Sequence, residues 1–146
     1  MSDDTLIDEV KLTEARTALI CARLNLRGAK RRLQRGHTVS GIAALYDSVL
    51  FGMRYYIAIH KSCAPFLKNI DLWDAMSVFH ALRHAGVFDD PLLFNHFSWL
   101  VERICWQESF SFGIDDTLTK VETMLMKLGV MQPDKLRLPN ETSRSH

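Results

Sequence analysis

The residues ARTALICARLNLRGAKRRLQRG, from Ala15 to Gly36, decide the fold of this chain. In and just before this stretch, apolar residues recur at alternating steps of three and four, which places them on one side of an α-helix. A helix is predicted from about Thr13 to Arg35, capped by Thr13 and ended by Gly36. Its apolar seam comprises Leu12, Ala15, Leu19, Ala22, Leu26, Ala29 and Leu33.

A second stretch, SGIAALYDSVLFGMRYYIAIH from Ser40 to His60, repeats this spacing after a short turn. It predicts a helix from about Thr38 to Ser62. Apolar residues spread well beyond a single seam here and leave only a thin polar stripe, so we expect this helix to pack on several sides. It is the predicted central helix of the fold.

Three shorter helices are predicted after Pro65. They open at Asp71, restart at Asp89 to Pro91 and begin again at Asp115 or Asp116, with ends near Gly86, Trp106 and Gly129. The predicted fold class is all-α: an up-and-down bundle of four to five helices, two of them long and antiparallel. The predicted domain limits are an N-terminal tail over 1–11, a helical domain over 12–130 and a flexible C-terminal tail over 131–146.

Composition restricts the class of protein. A chain of 146 residues that is 47% hydrophobic suits one domain with a real core. The acidic opening MSDDTLIDEV lacks the features of a secretory signal, and charges interrupt the longest apolar stretches. Cys21, Cys63 and Cys105 show no CxxC pairing, which argues against a disulfide framework and a zinc knuckle. We therefore expect a cytoplasmic protein with buried thiols, no membrane association and no cofactor.

The two long helices, joined by a short turn, with small residues and a tyrosine early in the second, resemble the opening of HEPN-domain proteins. The resemblance covers roughly residues 12 to 129. It implies a compact bundle that often dimerises, and the family includes ribonuclease toxins and non-catalytic partners of small nucleotidyltransferases in two-gene modules. Phe51, Tyr55, Tyr56 and Trp106 suit either an interface between subunits or an ordinary core.

Catalytic members of this family carry an Arg-x4-6-His motif towards the end of the fourth long helical segment. The corresponding stretch here is LVERICWQESFSFG, in which Arg103 takes the arginine position. Glu108, Ser109 and Phe110 occupy the window in which the histidine should fall. The resemblance therefore implies a non-catalytic interaction module, a homodimer, whose partner is a nucleotidyltransferase or another nucleic-acid-processing protein in a toxin–antitoxin-type pair.

A metal-independent ribonuclease is the alternative, with Arg103 or Arg54 acting beside His60. Arg54 and His60 stand at the motif's spacing in RYYIAIH. On a continuous helix, however, six positions separate two side chains by about 120° around the axis and about 9 Å along it. We expect an outward Arg54 on the polar stripe and His60 on an apolar flank.

Basic residues accumulate along the second half of the first helix. No acidic residue lies between Glu14 and Asp47 to balance their charge. The residues that can share one broad face are Arg23, Arg27, Lys30, Arg31 and Arg35. Such a face could bind an RNA backbone or an acidic partner. Alternatively, these side chains only give the bundle a charged surface in contact with solvent and complement the dipole of the helix.

Three histidines are weak candidates for a metal site. His80 and His84 stand four residues apart, and His96 on the following helix is a third candidate ligand. No HExxH pattern accompanies them. We expect surface histidines near a helix end, and no bound metal.

Overall fold

The computed structural model describes residues 3–90, 92–105 and 113–132, with side chains described for 9–90, 93–95, 97–99, 101–102 and 113–132. Within these ranges the chain forms five α-helices and a short 3₁₀-helix, and no strand. The helices are α1 (Asp3–Gln34), α2 (Thr38–Ile59), the 3₁₀-helix (Lys61–Phe66), α3 (Ala75–His84), α4 (Leu92–Cys105) and α5 (Ile114–Lys127). The predicted all-α bundle with two long helices is confirmed.

Helices α1 and α2 pack together as a hairpin, which is the largest structural unit of the bundle. Gly36 ends α1 with φ +82°, a conformation that favours glycine, and the His37 amide donates to the Arg32 carbonyl at 2.8 Å. A Cβ atom at Gly41 would lie 2.7 Å from the Leu33 side chain, so the two helices approach closely beside the turn. Further along, the buried Ser48 hydroxyl donates to the Ala22 carbonyl at 2.7 Å and ties their middles together.

Most of the apolar seam of α1 is covered as predicted: four of its residues are buried, Leu19 and Leu33 are half-buried, and its first residue is exposed. Ala15, Ala22 and Ala29 are buried, whereas Leu12 is 60% exposed. The reason is that α1 has 32 residues and α2 only 22, so the first turns of α1 extend past the end of α2. Thr13 does not cap the helix: it lies inside α1, where its hydroxyl donates to the Glu9 carbonyl at 3.0 Å.

Helix α2 occupies the centre, as predicted. Its buried residues are Gly41, Ile42, Ala44, Leu45, Ser48, Val49, Leu50, Gly52 and Met53. A Cβ atom at Gly52 would lie 3.0 Å from Leu125 and 3.2 Å from Leu128, so α5 packs directly on this glycine. By length and composition alone α2 could also cross a membrane, a test that the core helix of a soluble protein also passes. Its burial against the other helices fits the core role.

Helix α2 ends at Ile59 instead of Ser62, because His60 has extended backbone angles (φ −119°, ψ 95°). The chain then continues as the 3₁₀-helix, which contains Pro65. The Asp71 carboxylate accepts a hydrogen bond from the Trp73 amide at 2.9 Å, so Asp71 shapes a turn and α3 begins later, at Ala75.

Aromatic side chains fill the core between α2, α3 and α4. Phe79 and Phe94 are fully buried, and their ring centroids lie 5.2 Å apart. Phe88, from the loop after α3, stacks on Phe79 at 5.0 Å. Phe51, Tyr55 and Tyr56 are half-buried against the same core, while Trp106 lies outside the described residues.

Positive backbone angles at Gly86 and Gly129 mark the predicted ends of α3 and α5. The start of α5 differs from the prediction, because Gly113 is its cap residue and Asp115 and Asp116 lie in its first turn. Carboxylates in a first turn favour the helix through its dipole.

Candidate functional site

A cavity of about 410 Å³ lies beside the last turns of α2, and both end residues of RYYIAIH line it. Helical phase separates Arg54 from His60 only along a continuous helix. His60 directly follows the end of α2, and both residues line the same cavity. Among the described residues, the lining comprises Lys11, Glu14, Ala18, Arg54, Ile57, Ala58, His60, Lys61, Ala64, Leu67 and Leu72.

Arg54 is half-buried, whereas the sequence predicted an outward, solvated side chain. Its Nη1 donates to the Leu72 carbonyl at 3.1 Å. Its Cζ lies 3.9 Å from the centroid of the Trp73 ring, a cation–π contact. The loop between the 3₁₀-helix and α3 therefore covers this arginine and fixes its position.

The His60 ring is held by Tyr56. The two rings stack with centroids 3.8 Å apart and planes 14° apart, and His60 Nδ1 lies 3.0 Å from the Tyr56 carbonyl oxygen. A carbonyl oxygen only accepts hydrogen bonds, so Nδ1 must carry the proton in this contact. A neutral His60 ring then keeps Nε2 as an acceptor.

The predicted basic face of α1 is divided in two by the fold. Arg23 Nε donates to the Val130 carbonyl at 2.9 Å, and Lys30 Nζ lies 2.8 Å from a Glu122 carboxylate oxygen on α5. Arg23 and Lys30 thus link α1 to Val130 and to α5. Arg27, Arg31 and Arg35 are exposed. The interpretation as a solvated, structural face thus fits Arg23 and Lys30, which bond within the fold, and leaves Arg27, Arg31 and Arg35 of the predicted face for an outside partner.

A second surface of α1, the outer strip, was missed in reading the sequence. We define it as Val10, Thr13, Thr17, Ile20, Leu24, Arg27 and Arg31, all of which are exposed. These residues also recur at alternating steps of three and four. They are offset by two positions from the buried seam, which puts them about 200° around the helix. Ile20 is 50% exposed and Leu24 is 55% exposed, at the middle of the longest helix.

The structure describes the side chains of two of the three weak metal candidates. His80 lies half-buried with its ring edge against Phe79, and His84 is exposed. The side chain of His96 lies outside the described part of the chain. Among the side chains that the structure describes, no three His, Cys, Asp or Glu residues form a group suited to a metal ion. The absence of a metal stays a prediction.

The side chain of Arg103 also lies outside the described residues, although its backbone belongs to α4. Glu108, Ser109 and Phe110, in the predicted histidine window, lie outside as well. The ribonuclease alternative through Arg103 therefore stays a prediction.

Cys63 is expected to react more slowly with iodoacetamide than Cys21 in the folded protein. Cys21 is half-buried, whereas Cys63 is 2% exposed, and burial raises the pKa of the Cys63 thiol. A raised thiol pKa leaves less of the reactive thiolate near neutral pH. Mass spectrometry of the alkylated peptides measures both rates, with urea-unfolded protein as the control. Equal rates in the folded protein would contradict the buried position of Cys63.

Comparison of this chain with protein-family models, curated proteins and solved structures finds no match. The features that bear on function are therefore the cavity, the outer strip and the exposed arginines.

Proposed function

We propose that this chain is a non-catalytic, HEPN-like interaction module that acts as a homodimer. The observation that carries the proposal is the outer strip of α1, where Ile20 and Leu24 are 50% and 55% exposed one turn apart. Covering neighbouring aliphatic side chains with a partner removes apolar surface from water, which lowers the free energy of the complex. The strip runs from Val10 to Arg31, about 32 Å at 1.5 Å per residue, which is long enough for a helix-to-helix interface.

An antiparallel pair of α1 helices from two copies fits the order of residues along the strip. If Ile20 of one copy packs on Leu24 of the other, Thr17 faces Arg27 and Thr13 faces Arg31 by the alternating spacing. The two aliphatic residues then form the centre of the interface, and the polar residues lie towards its ends. This arrangement matches the apolar centre and polar rim of protein interfaces.

The charges of α1 favour the same orientation. All five acidic residues of α1, Asp3, Asp4, Asp8, Glu9 and Glu14, precede Ala15. The exposed arginines Arg27 and Arg31 lie near its other end. A parallel pair would bring like charges together, whereas an antiparallel pair brings the acidic end of each helix towards the basic end of the other. Opposite charges in register fix the orientation of an interface more than its affinity.

Charge reversal at Glu9 and Arg31 tests this pairing. Arg31 of one copy faces Thr13 of the other, one turn from Glu9, so Glu9→Arg and Arg31→Glu should each weaken the dimer about threefold to tenfold at low salt. The double variant should recover the original affinity, because it restores opposite charges across the interface. Analytical ultracentrifugation measures each dissociation constant. A double variant no stronger than either single variant would contradict the antiparallel register.

We propose that the partner of this dimer is a nucleotidyltransferase or another nucleic-acid-processing protein in a toxin–antitoxin-type pair. Two features support a non-catalytic role beside such a partner: Glu108, Ser109 and Phe110 replace the expected histidine, and Arg35 remains exposed to meet an acidic surface. The test is to co-express the product of the neighbouring gene and to purify the tagged chain with a size analysis. A neighbouring protein that fails to co-purify would count against the paired role.

RNA binding through Arg27, Arg31 and Arg35 is the second candidate function, since these three arginines are exposed on one end of the hairpin. Phosphate binding by such residues releases counterions, so the affinity must fall steeply as salt is added. An electrophoretic shift with single-stranded and duplex RNA at two salt concentrations tests this candidate. Binding that salt does not weaken, or no binding, would remove this candidate.

A further inference from the structure

We propose that the cavity beside Arg54 binds a small carboxylate that carries an aliphatic chain. Its volume of about 410 Å³ lies within the range of small-molecule sites. Six of its described lining residues are apolar: Ala18, Ile57, Ala58, Ala64, Leu67 and Leu72. They supply walls for a hydrocarbon chain, and the charged residues supply a place for its head.

The charge of the lining selects an anion. Lys11 and Arg54 carry positive charges around the cavity, and Glu14 carries a single negative charge among the lining residues that the structure describes. A carboxylate is attracted by this surplus, whereas an alkyl ammonium ion of the same length is repelled. The ligand class is therefore an amphipathic anion.

Arg54 is the group best placed to hold the carboxylate. Its guanidinium is already fixed by the Leu72 carbonyl at 3.1 Å and the Trp73 ring at 3.9 Å. A side chain that is ordered before binding loses little entropy on binding. The planar guanidinium has five N–H donors and matches the two oxygens of a carboxylate, so it can bind the ligand and the Leu72 carbonyl together.

Small side chains create the room for the hydrocarbon chain. Ala18 comes from α1, Ala58 from α2 and Ala64 from the 3₁₀-helix, so three separate elements meet around the space with only methyl groups. No phenylalanine, tyrosine or tryptophan lines the cavity among the described residues. Because unstacked nucleic-acid bases commonly stack on the rings of these three residue types, which this lining lacks among the described residues, an aliphatic ligand fits it better than a base.

The test titrates the full-length ¹⁵N-labelled chain with octanoate, octanol and octylamine and follows the amide resonances by NMR. Octanoate should give saturable shifts at residues 54–72 and bind at least about tenfold more tightly than octanol or octylamine. Arg54→Gln should weaken octanoate about tenfold and leave octanol unchanged. Equal affinities for octanoate and octanol, or no saturable binding of octanoate, would overturn the proposal.

Filling the cavity locates the site independently of charge. Ala58→Leu places a larger side chain into the space and should abolish octanoate binding. Ala43→Leu, at an exposed position of the same helix, is the matched control and should bind as the unaltered chain does. If Ala58→Leu does not fold, Ala64→Leu replaces it at an exposed position of the cavity's rim. Unchanged octanoate binding by the folded filling variant would place the ligand elsewhere and overturn the proposal.

Discussion

Replacing Phe79 by alanine is expected to lower the free energy of unfolding by about 3–5 kcal/mol, the largest effect that we expect from any single substitution. Phe79 is fully buried, and its ring stacks on Phe88 at 5.0 Å and on Phe94 at 5.2 Å. Removing the ring loses its burial and leaves a cavity between α3, α4 and the loop after α3. The surrounding rings can close only part of that space.

Urea denaturation followed by circular dichroism measures this loss. Phe66→Ala is the matched control, because Phe66 lies in the 3₁₀-helix and is 42% exposed. Its truncation should cost well under half as much, since much of its ring is already in water. If Phe79→Ala lowered the free energy of unfolding no more than Phe66→Ala, the placement of Phe79 in the buried aromatic core would be contradicted.

The second large effect is expected at Leu24. Leu24→Arg should raise the dissociation constant of the homodimer about a hundredfold, because each dimer would place two charged groups at the apolar centre of its interface. The new charges also lie beside Arg27, so they add repulsion to the lost aliphatic contact with Ile20. The stability of the monomer should hardly change, since Leu24 is 55% exposed and does not belong to the buried core.

Val39→Arg is the control for Leu24→Arg. Val39 is 53% exposed, close to the 55% of Leu24, but it lies at the start of α2 and outside the outer strip. Sedimentation velocity should show a dimer for Val39→Arg and a monomer for Leu24→Arg at the same concentration. Equal dissociation constants for the two variants would remove Leu24 from the interface.

The bundle could be predicted from the sequence where periodicity and glycine dictate structure. The seam through Ala15, Ala22 and Ala29 is buried, and Gly36 ends α1 with the positive φ that glycine permits. Helix starts were predicted less well. Thr13 and Asp71 have the chemistry of caps, but the Thr13 hydroxyl bonds to the Glu9 carbonyl inside α1, and the Asp71 carboxylate accepts from the Trp73 amide in a turn. A capping residue alone does not show which of several adjacent turns the chain will choose.

The candidate site was harder to predict, for a physical reason. Arg54 and His60 share a cavity beside the point where α2 stops at Ile59, and the loop before α3 folds back over Arg54. Neither event leaves a periodic signal in the sequence. The outer strip did leave one, a second alternation of three and four through Ile20 and Leu24. It escaped notice because threonine and arginine fill most of its other positions, and these residues read as an ordinary solvated face.

The homodimer through the outer strip of α1 is the central claim, and sedimentation equilibrium of the unaltered chain tests it most directly. Samples at several concentrations in low salt should fit a reversible association, with a limiting mass of twice the 16.8 kDa of one chain. Added salt should shift the equilibrium towards the monomer, because charges across the interface are screened. A mass of 16.8 kDa at every concentration, at low salt, would contradict the claim.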